Sequence, residues 1–72
     1  MQSRYDTECQ RICKLAKDAG YTRINIDYDP PTIGDKSKGY EVSAEAPYQG
    51  RIILATATSW AKCYAAAMEY LK

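Results

Sequence analysis

The chain has 72 residues, which is enough for one domain with one small core. Ten Lys and Arg against nine Asp and Glu give a net charge of +1, so the chain lacks the large positive excess that is typical of nucleic-acid-binding modules. Its apolar content of 46% favours a globular domain over a disordered segment, and because no apolar run is long enough for a membrane span or a signal peptide, we expect a cytoplasmic protein.

The first predicted element is a helix that begins after Ser3 and ends at Gly20. Serine is a favourable N-cap because its hydroxyl accepts a bond from a free amide, and glycine readily adopts the left-handed conformation that ends many helices. An apolar stripe recurs every three or four residues through Tyr5, Cys9, Ile12, Cys13, Ala16 and Ala19. The stripe predicts one buried face, and the opposite face carries Arg4, Arg11 and Lys14.

Three strands are predicted next, over residues 22–29, 40–46 and 51–57. Apolar and polar residues alternate in each strand, which is typical of a strand with one buried face. We expect the buried faces to contain Thr22, Ile24, Ile26 and Tyr28, then Tyr40, Val42, Ala44 and Ala46, and finally Ile52, Leu54 and Thr56. Pro30 and Pro31 end the first strand and begin a long loop over residues 30–39, whereas residues 47–50 predict a tight turn that pairs the last two strands.

The last predicted element is a helix that begins near Thr58 or Ser59 and ends near Leu71. One face of this helix carries Trp60, Tyr64, Ala67, Met68 and Leu71. The order helix, three strands, helix predicts a single α+β domain over residues 1–72. We expect a three-stranded antiparallel sheet with both helices packed on one face, so that its other face remains open.

The last helix resembles that of the double-stranded-RNA-binding domain, in which small residues follow a capping serine. The residues here are Ser59, Trp60, Ala61, Lys62, Cys63, Tyr64, Ala65, Ala66 and Ala67, followed by Leu71. The order of elements is similar over nearly the whole chain, so the resemblance implies that fold and, as one hypothesis, binding to duplex RNA. The chain departs from the family because it has one lysine at the helix start instead of a cluster, and no histidine in the loop after the first strand.

Under this RNA-binding hypothesis, the cations that would contact phosphates lie in the three regions that the resemblance implies. They are Arg4, Arg11, Lys14, Lys36, Lys38 and Lys62. Because affinity for nucleic acid depends on the number of neutralised phosphates, so few cations predict weak binding.

The preferred hypothesis is a small protein-binding module, because the chain is nearly neutral and rich in tyrosine, a residue that is enriched at interfaces. Residues on the open sheet face, in the tight turn at residues 47–50 and in the long loop are candidates for contact with a partner: Tyr48, Gln49, Ile53, Glu41, Glu45, Asp27 and Ile33. In size and charge the chain is similar to small phage-encoded inhibitors such as anti-CRISPR proteins, which implies that it blocks a macromolecular surface. We expect a monomer or a homodimer.

Catalysis, metals and cofactors are not expected from these residues. The chain has no histidine, so a Ser-His or Cys-His pair cannot form, and it has no glycine-rich phosphate loop. Cys9, Cys13 and Cys63 lack the spacing of a zinc site, and we interpret them as reduced thiols that pack as small apolar residues.

Overall fold

The computed structural model describes residues 3–36 and 38–72. The elements follow in the order α1 (Arg4–Asp18), β1 (Thr22–Tyr28), β2 (Tyr40–Ala46), β3 (Gly50–Ala57) and α2 (Trp60–Tyr70). The strands form one antiparallel sheet in the order β1-β2-β3, and both helices contribute to the same core. The predicted α+β architecture is therefore confirmed.

Both helices begin at the predicted caps. The Ser3 hydroxyl accepts a hydrogen bond from the Asp6 amide at 3.1 Å, and the Ser59 hydroxyl accepts one from the Lys62 amide at 3.4 Å. Gly20 follows α1 with a φ of +96°, which is the left-handed conformation expected for the residue that ends a helix.

The core lies between the helices and the inner face of the sheet. Ile12 of α1, Val42 of β2 and Cys63 of α2 are its largest wholly buried side chains. Small residues bring the helices close to the sheet, since Ala16 and Ala67 are also completely buried. The two ends of the predicted α1 stripe are wrong, because Tyr5 and Ala19, near the two ends of the helix, are exposed.

A β-bulge in β3 changes which residues face the core. Val42 pairs with Ala55, whereas its neighbour Ser43 pairs with Ile53, so Leu54 is an extra residue in the strand. The predicted inward position of Thr56 is therefore wrong. Thr56 is exposed and pairs with Glu41, whereas its neighbour Ala55, which was not among the predicted inward residues, is only 7% exposed.

A second register shift lies in β1 between Thr22 and Asn25. It includes Arg23, which adopts a φ of +50°, and it leaves Thr22 exposed opposite Glu45. The predicted inward position of Thr22 is wrong for the same reason as that of Thr56, since an inserted residue moves the strand by one position relative to its partner. No helix in the described ranges, 3–36 and 38–72, is long and apolar enough to cross a membrane.

Candidate functional site

The uncovered face of the sheet brings together four of the residues predicted to contact a partner. Asp27 of β1 and Glu41 of β2 are register partners, and Glu45 lies on the same face of β2. Ile53 of β3 pairs with Ser43 and is 57% exposed. The open face therefore combines carboxylates with one large apolar side chain.

Asp27 and Glu41 form a pair of like charges on adjacent strands, an arrangement that destabilises a sheet. The side-chain amide of Asn25 donates a hydrogen bond to the Asp27 carboxylate. Among the described residues, no lysine or arginine forms an ion pair with Asp27 or Glu41. This part of the face is open to a cation from another molecule.

A concave region of about 630 Å³ adjoins this pair where β1 meets the long loop. Its lining consists of Asp27, Tyr28, Asp29, Lys38, Gly39, Tyr40, Glu41 and Thr56. Lys38 is the only cation in this lining, and its ammonium lies 3.5 Å from the Asp29 carboxylate. Because the other two carboxylates have no cationic partner here, we call this region the acidic concavity.

The geometry of the acidic concavity depends on a close approach at Gly39. A Cβ atom at this position would collide with the carbonyl oxygen of Ala57 and lie 2.7 Å from the Cα atom of Thr58. The Asp29 amide also donates to the Gly39 carbonyl oxygen at 2.9 Å. The absence of a side chain therefore lets the loop return alongside the end of β3.

Charges at the opposite end of the open face are balanced by contacts within the sheet. The Arg51 guanidinium donates from Nη2 to the Ser43 hydroxyl at 3.0 Å and from Nη1 to the Arg23 carbonyl oxygen at 3.1 Å. Arg23 in turn lies 3.7 Å from the Glu45 carboxylate. Glu45 is thus neutralised within the chain, in contrast to Glu41.

The other three predicted partner-binding residues lie at the two ends of the sheet. Tyr48 and Gln49 occupy the turn between β2 and β3, where Tyr48 is fully exposed and adopts a φ of +65°. Ile33 lies in the loop after β1, at the opposite end, and is 99% exposed. The structure therefore does not unite all seven predicted residues in one patch.

The cations of the RNA-binding hypothesis are divided between the helices and the long loop. The Arg4 side chain lies 3.6 Å from Glu8, Lys38 pairs with Asp29, and Arg11 donates to the Tyr64 hydroxyl at 3.4 Å. Lys14, Lys36 and Lys62 are exposed. Two of the six positive charges are thus partly neutralised by ion pairs within the chain.

A groove between the start of α1 and the start of α2 was not predicted. Its volume is about 330 Å³, and its lining consists of Arg4, Tyr5, Glu8, Trp60, Ala61 and Tyr64. The ring centroids of Tyr5 and Trp60 are 4.8 Å apart, and those of Trp60 and Tyr64 are 6.0 Å apart. We call this region the aromatic groove.

Glu8 is the unexpected member of this groove, because it is only 8% exposed. Its Oε1 atom accepts a hydrogen bond from the Trp60 indole nitrogen at 3.1 Å. The helical spacing in the sequence could have indicated this burial, since Glu8 lies three residues after Tyr5 and four before Ile12, on the stripe that faces inward.

The groove residue Tyr5 keeps its phenolic proton at neutral pH. Partial burial and a hydrogen bond with the Cys9 thiol raise the pKa of Tyr5 to about 12. The ring therefore presents a neutral aromatic surface to the groove under ordinary conditions.

The cysteines do not form a metal centre in the described part of the chain. Cys63 is completely buried and its thiol lies 3.9 Å from the Ala55 carbonyl oxygen, as expected for an apolar packing role, whereas Cys9 and Cys13 are half-buried. Burial raises the pKa of the Cys63 thiol, and the nearby charge of Glu41 adds to this effect. Residues 3–36 and 38–72 contain no group of three His, Cys, Asp or Glu side chains that could hold a metal ion.

Comparisons with protein-family models, curated proteins and solved structures found no match to this chain. The fold and site define a small α+β protein with an open acidic sheet face. The resemblance to double-stranded-RNA-binding domains and to anti-CRISPR proteins stays a prediction.

Proposed function

We propose that this protein is a small, non-catalytic binding module that occupies a basic surface of a partner protein with the open face of its sheet. The observation that carries the proposal is the pairing of Asp27 with Glu41 on adjacent strands without a cation from the described chain. A lysine or arginine from a partner would compensate both charges and gain hydrogen bonds to carboxylates.

The neighbouring surface supports the same proposal. Ile53 supplies an exposed apolar side chain on the same face of the sheet as the acidic pair, and the acidic concavity provides a recess of about 630 Å³. Interfaces commonly combine an apolar contact with charged groups that select the partner and orient it. A surface that binds nucleic acid is basic, so a small module with an acidic sheet face would block such a surface in the manner of an anti-CRISPR protein.

Binding to duplex RNA is the second candidate function. The observation in its favour is that Lys14, Lys36 and Lys62 are exposed and have no ion pair within the described residues. The internal ion pairs of Arg4 and Lys38 weaken this candidate, because phosphate binding would compete with Glu8 and Asp29.

The two candidates are separated by affinity capture and by an RNA titration. In capture from a nuclease-treated lysate, the wild type should retain a basic protein that the Asp27→Asn/Glu41→Gln double variant no longer retains. The matched control is Asp18→Asn/Glu69→Gln, which removes the same charge from exposed helix positions and should retain the partner. Tight binding of the wild type to duplex RNA, with a steep loss of affinity as salt rises, would instead establish the second candidate.

A further inference from the structure

We infer that the aromatic groove is a binding site for an arginine side chain of a partner protein. The inference goes beyond the proposed use of the open sheet face, because it depends on residues of the two helices. Its components are a nearly buried carboxylate, three aromatic rings and an internal arginine that lies at the rim.

The Glu8 carboxylate has capacity for one more donor. Its two contacts, with the Trp60 indole nitrogen and with Arg4, both use Oε1, at 3.1 Å and 3.6 Å. No described residue donates to Oε2. The Glu8 side chain is only 11% exposed, so its carboxylate has limited access to water and an added charge-assisted hydrogen bond at Oε2 is favourable.

The rings next to Glu8 select a flat cation. Tyr5, Trp60 and Tyr64 line the groove together, and aromatic faces attract cations. A guanidinium group is planar, stacks on such rings and binds a carboxylate through parallel hydrogen bonds. An arginine side chain therefore matches both features of the groove better than an ammonium group does.

Arg4 shows that a guanidinium group can reach this carboxylate, but it holds the position weakly. Its Nε atom lies 3.6 Å from Glu8 Oε1, and its side chain is 91% exposed. Exposed ion pairs within one helix contribute little stability, so an arginine from a partner can displace Arg4. Arg4 thus acts as an internal competitor for the groove.

The experiment uses the fluorescence of Trp60, which is the only tryptophan of the chain. The full chain is titrated with N-acetyl-arginine amide, and N-acetyl-citrulline amide serves as a neutral probe of nearly the same shape. We expect a saturable change with millimolar affinity for the arginine probe and none for the citrulline probe. Equal responses to both probes, or no saturable response to the arginine probe, would overturn the inference.

Two variants test the assigned roles. Arg4→Ala should bind the arginine probe about twofold more tightly than the wild type, whereas Lys14→Ala, with the same change of charge on α1, should bind like the wild type. Glu8→Gln should weaken binding by about tenfold or more, because its amide oxygen can still accept from Trp60 but the charge is lost. An unchanged or lower affinity in Arg4→Ala contradicts the inference, and this variant keeps the test decisive if Glu8→Gln does not fold.

An ammonium probe checks the selectivity. N-acetyl-lysine amide should bind several-fold more weakly than the arginine probe, because it lacks the planar group. Equal or tighter binding of the lysine probe would reject the assignment to arginine. The Asp27→Asn/Glu41→Gln variant shows whether the open sheet face and the aromatic groove act independently. If they do, this variant loses partner capture while its Trp60 still responds to the arginine probe.

Discussion

Asp27 and Glu41 lie opposite each other on the open face of the sheet, and neither has a cationic partner in the described chain. These two residues lie on the face of the sheet that the helices do not cover, where nothing in the fold requires two negative charges at paired positions. The repulsion between these two carboxylates destabilises the folded chain, but their negative charge attracts a basic partner.

The first prediction concerns the charge of Glu41. Glu41→Gln should raise the free energy of unfolding by about 0.5 kcal/mol at low salt, because it removes the repulsion from Asp27. The gain should shrink at high salt, where charges on the surface are screened. Urea denaturation at two salt concentrations measures both effects.

The matched control is Glu45→Gln on the same strand and face. Glu45 is paired with Arg23 at 3.7 Å, so its neutralisation should leave stability unchanged or slightly lower it. An equal gain in both variants would mean that the negative charge of the sheet face as a whole, and not the Asp27–Glu41 pair, determines the effect.

The second prediction concerns the guanidinium of Arg51, which bonds to Ser43 and to the Arg23 carbonyl oxygen. Arg51→Lys should lower the free energy of unfolding by about 1 kcal/mol, because one ammonium cannot reproduce both bonds of the fork. Thermal or urea unfolding gives the value. Wild-type stability in Arg51→Lys would show that the two bonds contribute nothing to the sheet.

The third prediction concerns Tyr48, whose φ of +65° is unfavourable for a residue with a large side chain. Tyr48→Asn should raise the free energy of unfolding by about 1 kcal/mol, since asparagine tolerates the left-handed conformation. Tyr48→Ala retains the cost of a Cβ atom and should match the wild type in the same denaturation series. A gain of equal size in the alanine variant would place the effect in the side chain instead of the backbone.

The fourth prediction is a loss of stability at alkaline pH that involves Tyr5. The pKa of Tyr5 is raised to about 12 in the folded chain from its ordinary value of 10.0. The stabilising contribution of the protonated Tyr5 phenol to the free energy of unfolding is therefore complete below pH 10 and is lost as pH rises through about 12. The reason is that the phenol loses its proton at a lower pH in the unfolded chain than in the folded chain. Denaturation as a function of pH should show a smaller alkaline loss in Tyr5→Phe than in the wild type; identical profiles would contradict the assignment.

Elements set by local chemistry could be predicted from the sequence. Ser3 and Ser59 cap their helices because a serine hydroxyl reaches an amide three residues ahead, and Gly20 ends α1 because it lacks a Cβ atom. Strand β2 has the predicted bounds, Tyr40 to Ala46. These features depend on residues that are close together in the sequence, so the residue pattern is enough to predict them.

Features set by distant contacts could not be predicted. The bulge at Leu54 depends on the register with Val42 and Ser43, so an alternating pattern did not reveal that Ala55 faces inward and Thr56 outward. The buried position of Glu8 depends on Trp60, which is 52 residues away. For the site, the polar faces of β1 and β2 placed Asp27 and Glu41 on one surface, but the acidic concavity also requires the return of the loop at Gly39.

The most direct test of the account is a map of the surface that changes when the captured partner binds. Backbone amide NMR spectra of the labelled chain, recorded with and without the partner, should show the largest changes at Asp27, Glu41 and Ile53. Changes confined to Arg11, Lys14 and Lys62 on the helices, with an unaltered sheet face, would contradict the claim that the acidic sheet face is the binding surface.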